Sequence, residues 1–203
     1  MQKADTMHTD SETRSTRRDD IVEAARQLYE EQGLSRTSVQ AITDRVGVAR
    51  SLFYHYFPDK NAVTSAVLDD YIADFLEALH IWNEERRTGD IEAALSSVVK
   101  ILRLALFEHD SFRRSLASKE NAALYLEFVN RVADRMATYI VQTTVRDYGE
   151  LHEIKIDHVY ETFYILILGI VGYVRRHPDV DDEVLKDVIA QTLHMDRGTT
   201  PPV

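Results

Sequence analysis

Apolar residues recur every three or four positions along most of the chain, and polar or helix-breaking punctuation divides them into about nine stretches. That spacing is the signature of amphipathic helices, and no segment shows the strict alternation of a half-buried strand. Ser15 to Gln32 carries Ile21, Ala24, Ala25, Leu28 and Tyr29 on one face and closes at Gly33. Asp59 is placed to cap a long helix from about Lys60 to Glu85, with Val63, Val67, Tyr71, Phe75 and Leu79 apolar, which Arg86 to Gly89 breaks. Further helices are expected over Ile91 to Glu108, Ser111 to Ala117 and Asn121 to Val145. A polar loop from Arg146 to Lys155 then leads to a helix over Ile156 to Arg176, ended by His177-Pro178. The last helix starts at Asp181 and runs to about His194 with Val184, Leu185, Val188, Ile189 and Leu193 apolar. The fold class is all-α.

Phe163 to Val174 breaks the amphipathic rule, being apolar on every side yet too short to cross a bilayer, which takes about 20 residues. A helix of that kind in a chain of 203 residues is covered most simply by its own core on one side and by a second protomer on the other. Gly169 and Gly172 would let a partner helix approach closely. The dimer face is therefore expected to include Ile165, Gly169, Gly172, Tyr173, Leu185 and Val188, and the alternative is a central helix in a monomer.

The segment Thr37 to Lys60 reads as a short helix, a glycine turn and a second short helix, the layout of a DNA-reading helix-turn-helix. Thr37 is placed to cap the first helix, with Gln40 as its capping-box partner, and Val39, Ile42 and Val46 share a face. Gly47 supplies a left-handed turn. The second helix, about Arg50 to Phe57, buries Phe53 and Phe57 and leaves Arg50, Ser51, Tyr54 and His55 outward. Arg50 is the candidate base reader, because its fork of donors matches guanine O6 and N7. Thr37, Ser38 and Lys60 are the candidate phosphate contacts on either side of the groove.

This segment, with the helix from about Arg18 to Gln32 before it, resembles the DNA-binding domain of the tetracycline-repressor (TetR) family. The likeness rests on an ordered set: an alanine-rich helix ending at Glu31-Gln32-Gly33, the Thr37-Ser38 start, Ala41-Ile42, Val46-Gly47-Val48, Tyr54-His55-Tyr56-Phe57 and Lys60. Ala49 stands where such sequences often have serine, and Leu52 where a small polar residue is frequent. The resemblance implies a homodimer formed through the last two long helices, a C-terminal pocket for a small-molecule effector, and release of an inverted-repeat operator when that pocket is filled. The expected organisation is a disordered arm at 1–13, a DNA-binding domain at 14–60, a ligand-binding and dimerisation domain at 61–195 and a tail at 196–203.

Charge sharpens this division. The chain carries 24 Lys and Arg against 34 Asp and Glu, but residues 14–60 hold eight against seven and residues 61–203 hold 15 against 24. An acidic remainder repels phosphate, leaving the N-terminal third to approach double-stranded DNA. The absence of cysteine excludes disulfides and thiolate metal sites, and the polar start at 1–13 does not resemble a signal peptide, so a cytoplasmic location is expected. His152, Glu153, Asp157, His158 and Glu161 lie close in sequence but match no strong metal spacing, and read as solvated surface; no metal or cofactor is expected. Trp82, Arg103, Phe107, Tyr125, Phe128 and Tyr164 are the candidate pocket residues, with Phe112, Tyr139 and Tyr160 as further rings of the same group. No nucleophile–base or phosphate-loop arrangement points to an enzyme. The expected function is a ligand-responsive repressor; the alternative is a DNA-bound regulator controlled by a protein partner.

Overall fold

A computed structural model of the chain describes residues 4–85, 90–107, 111–149 and 153–195, with side chains described from residue 16 on except at 105–107, 111, 113 and 114. The helices are α1 (Ala4–Gln32), α2 (Val39–Val46), α3 (Arg50–Tyr56), α4 (Lys60–Glu85), α5 (Ile91–Phe107), α6 (Ser111–Leu116), α7 (Ala122–Ile140), α8 (Arg146–Gly149), α9 (Val159–Arg176) and α10 (Asp182–Thr192). The protein is all-α, and no strand occurs among the described residues. Two expectations change. α1 begins at Ala4 and takes in most of the segment expected to be a disordered arm, since residues 4–32 contain no glycine or proline to stop a helix. α8 lies inside the expected polar loop and continues α7 through a π-helical turn at Val141–Val145, where Thr143 Oγ1 donates back to Tyr139 O.

The chain divides into two compact units, Met1–Tyr71 with His109–Tyr125, and Ile72–Glu108 with Leu126–Val203. A boundary at Lys60 is therefore not where the packing divides: α4 contributes 60–71 to the first unit and 72–85 to the second. The unit at the N-terminus has a core of Ile21, Ala25, Leu28, Tyr29, Ile42, Phe53, Val63 and Val67. It also takes in α6, through Phe112 and Leu116. Phe112 lies between two rings, stacked on Tyr29 at 5.4 Å and on Tyr71 at 5.0 Å, so of the core and pocket roles open to a ring at its spacing it takes the core one. Burial pushes the Tyr29 phenol up to about 12, keeping it protonated. Because Thr64 Oγ1 donates to Lys60 O, that phenol donates to Thr64 Oγ1 at 2.9 Å.

In the second unit α5, α9 and α10 pack around Leu95, Val99, Ile170, Val174, Leu185, Ile189 and Ala190. Leu185 is 2% exposed and belongs to the protomer's own core, which corrects its assignment to the dimer face; on α10 the outward large apolar residues are Val184 and Val188. Asp181 caps α10 by accepting from Glu183 N at 2.9 Å, as expected. Lys186 is buried, but its ammonium meets Glu92, Glu183 and the Ser96 hydroxyl, and the hydrogen bonds to Glu183 and Glu92 raise its pKa. Arg103 is committed in the same region. Its guanidinium donates to Asp182 Oδ1 at 2.5 Å, Pro178 O at 2.9 Å and Val180 O, bracing the α9–α10 turn. It is thus spent on the fold, which corrects its place among the candidate pocket residues.

Candidate nucleic-acid interface

The turn between α2 and α3 is built by Gly47, whose φ of 75° and ψ of 36° are left-handed. A side chain there would be strained, and the glycine lets both Gly47 N and Val48 N donate to Thr43 O, at 2.9 and 3.0 Å. α3 is then fixed from beneath. Phe53 is fully buried and Phe57 nearly so, their centroids 5.7 Å apart, and the guanidinium of Arg18 lies 5.2 Å from the Phe57 ring. A helix this short is marginal alone, so these two rings hold it. Ala49 gives it no side-chain cap.

Anchored in this way, α3 turns Arg50, Ser51, Tyr54 and His55 to the exterior together. Tyr54 stays 47% exposed although its ring packs edge-on against Phe53 at 5.4 Å. Its hydroxyl accepts from Arg50 Nη2 at 3.2 Å, and the Arg50 guanidinium carbon lies 5.8 Å from its centroid. The result is a compact outward set of donors with no carboxylate among its four side chains.

The three candidate positioning residues separate. Ser38 is exposed and is the true N-cap of α2, accepting from Ala41 N at 3.1 Å. Thr37 is 2% exposed; its hydroxyl lies 3.0 Å from Gly33 O and 3.3 Å from Leu28 O and faces inward, away from any phosphate. The N-cap therefore lies one residue later than its pattern implied and the expected capping box does not form, since Ala41 stands at N3 and Gln40 donates to Asp44 instead. Lys60 is half-buried, with its ammonium on Leu34 O at 2.5 Å and its pKa lowered by desolvation. Asp59, as expected, caps α4 by accepting from Ala62 N at 2.9 Å.

Sequence reasoning missed the second tie on Leu34. Its N–H donates to Ser115 Oγ at 3.2 Å, so the turn ahead of α2 is held by α4 through the carbonyl and by α6 through the amide. No local pattern signals a bond between residues this far apart in the chain. Arg45 makes a two-pronged ion pair with Glu31, at 2.9 and 2.7 Å, tying α2 to the end of α1.

The family model described as "Bacterial regulatory proteins, tetR family" matches residues 21–67, the stretch that contains this motif. Residues 21–67 are thus a TetR-type helix-turn-helix segment. It is 28% identical over 152 residues to YuxN of Bacillus subtilis (strain 168), an uncharacterized HTH-type transcriptional regulator, covering 74% of this chain and 50% of that protein. It is 25% identical over 129 residues to the HTH-type transcriptional repressor KstR2 of Mycolicibacterium smegmatis, covering 64% of this chain and 58% of that one. The chain thus spans little more than half the length of these curated TetR-type relatives. The solved structure of RolR in complex with resorcinol shares the fold, with a TM-score of 0.62 at 16% identity, over 95% of this chain and 97% of that one.

The remaining candidates of the TetR-type reading lie in both units. Ile165, Gly169, Gly172 and Tyr173 form an exposed face of α9, where Ile165 is 67% exposed and a Cβ added at either glycine meets no atom within 4 Å. The glycines therefore do not face the protomer's own core. Phe128 packs 6.5 Å from Phe75, Tyr164 donates to Asn130 Oδ1 at 3.1 Å, and Trp82 is half-buried, all in the second unit. Tyr125 belongs to the first unit, and the Phe107 side chain and His152 lie outside the described residues. Among the described residues no cluster of His, Asp and Glu suits a metal, and no helix is long and apolar enough to cross a membrane.

Proposed function

We propose that this protein is a transcriptional repressor of the cytoplasm that binds an inverted-repeat operator as a homodimer and is released by a small-molecule effector. The observation that carries the reading is the outward set on α3, with Arg50, Ser51, Tyr54 and His55 presented by a helix whose other face is locked by Phe53 and Phe57. Arg50 reads a base pair in the major groove, and Ser38 with the first turn of α2 meets phosphate. The outward apolar face of α9, with Val184 and Val188 of α10, takes a second copy of the chain. A two-fold axis then relates the reading helices and fixes half-sites roughly 34–36 Å apart.

The effector reading rests on the family and on the resorcinol held by RolR. By linkage, a ligand that favours the DNA-incompetent state weakens operator affinity by the factor with which operator weakens ligand affinity. Selection of bound duplexes from a random pool tests the DNA reading. An inverted repeat is the expected product, and recovery of no preferred sequence, or of a single non-palindromic site bound by a monomer, overturns it. A thermal-shift screen of small aromatic and apolar compounds, followed by operator binding with each hit, tests the effector.

A further inference from the structure

Arg50 is held before any DNA arrives. Its Nη2 donates to the Tyr54 hydroxyl at 3.2 Å, one helical turn ahead, and its guanidinium carbon sits 5.8 Å from the Tyr54 ring. Tyr54 is itself restrained, because its ring packs edge-on at 5.4 Å against Phe53, which is fully buried. A chain of contacts therefore runs from the core, through the phenol, to the candidate base-reading side chain. The guanidinium keeps its reading capacity in this arrangement: Nη2 carries two hydrogens, and whichever one Tyr54 accepts, one two-donor edge remains for an acceptor pair such as guanine O6 and N7.

We infer that Tyr54 is a specificity-determining positioning residue, which pre-orients Arg50 for one base pair and acts through Arg50 instead of through a DNA contact of its own. A free arginine loses several rotatable bonds on docking, and a held one has lost part of that freedom already. The gain falls only on sequences that Arg50 can bond, so it appears as discrimination and not as general affinity. This inference rests on the reading of Arg50 as a base contact.

The test compares wild type, Tyr54→Phe, Arg50→Ala and the double variant, as intact dimers, on the selected operator, on operators substituted at each base pair, and on a scrambled duplex. Tyr54→Phe deletes one exposed oxygen and keeps the ring on Phe53, so the fold is retained. Operator affinity is expected to fall roughly three- to ten-fold per reading helix, with scrambled binding unchanged. The lost discrimination should map to the base pairs that Arg50→Ala relaxes, and Tyr54→Phe should add nothing in the Arg50→Ala background. Equal loss on operator and scrambled DNA, or losses that multiply in the double variant, would make Tyr54 an independent phosphate contact and overturn the inference. A different failure is visible in the Arg50→Ala arm alone: equal weakening of operator and scrambled duplex would remove Arg50 as a base reader, and with it the reading on which this inference stands.

Discussion

The outward face of α3 and the outward face of α9 and α10 are both carried by helices whose inner sides are well buried, yet they are chemically opposite. α3 offers Arg50, Ser51, Tyr54 and His55 from above Phe53 and Phe57. The α9–α10 face offers Ile165, Tyr173, Val184 and Val188 around two glycines with open space beside them, above Ile170, Val174 and Leu185. Donors can remain in water until a polyanion replaces that water. Outward apolar side chains have no such resting state, and a contact that covers them would explain their exposure. The two faces thus divide the proposed function, one for recognition and the other for the symmetry that recognition of a repeat requires.

The strongest way to break this division is to fill the glycine seam. In Gly169→Trp the new Cβ meets no atom of the protomer within 4 Å on an exposed face of α9, and replacing a helical glycine removes a backbone-entropy cost of about 0.5–1 kcal/mol, so the chain should still fold. In a dimer the same side chain overpacks the contact. Sedimentation should then show a folded monomer. Operator affinity should drop about 10²–10⁴-fold although α3 is untouched, because the two half-sites are no longer engaged together. A dimer with unchanged operator affinity would mean that this face is covered by something else.

The next effect falls on the other unit. Phe112→Ala removes the ring stacked between Tyr29 and Tyr71, at a cost of about 3–5 kcal/mol for a buried phenylalanine that leaves a cavity. Chemical denaturation should show that loss in the unit that carries the helix-turn-helix, although Phe112 lies far from it in sequence. A cost below about 1 kcal/mol would argue that α6 is not part of that core.

These two sites also mark what could be read in advance. Periodicity placed α4, α5, α7, α9 and α10, and Gly47 placed the turn, because each depends on residues within a few positions of one another. The division of surfaces on α3 followed from the same local rule. Long-range choices were not legible. Phe112 has the spacing of any core or pocket ring, and only the fold puts it beside Tyr29; Arg103 resembles a ligand anchor until the α9–α10 carbonyls take its donors. Leu185 and Val188 both look apolar on α10, and a register of three residues sends one inward and one outward. The shift of the α2 cap from Thr37 to Ser38 came from two adjacent hydroxyls, of which the inner one finds Gly33 O and Leu28 O.

Lys60 supplies a smaller and sharper test. Placed at the edge of the recognition surface, it has the sequence position of a phosphate contact, but its ammonium is on Leu34 O. If that bond persists in the complex, Lys60→Met costs the first unit about 1 kcal/mol and leaves the dependence of log K on log salt unchanged. A slope reduced by about 2 units for the dimer would mean instead that DNA draws the ammonium away from Leu34 and onto phosphate.

The smallest effect concerns bracing behind the recognition face. The hydrogen bond from Arg45 holds the Glu31 carboxyl below the usual glutamate range, with the charge of Arg45 adding to it. A carboxylate whose pKa is depressed by folding stabilises the folded chain above its unfolded value, about 4.3 for glutamate, and loses that contribution as pH falls through the folded value. Both side chains are exposed, so water and salt weaken the pair, and the shift in thermal midpoint should be slight. Comparing wild type with Glu31→Gln from about pH 7 down to pH 3 isolates it. The two curves should be offset at neutral pH and converge in acid, while operator affinity at neutral pH stays the same for both. If Glu31→Gln changed operator binding at neutral pH, the pair would help set the α2–α3 geometry, and recognition would extend back from the four side chains of α3 to the joint between α1 and α2.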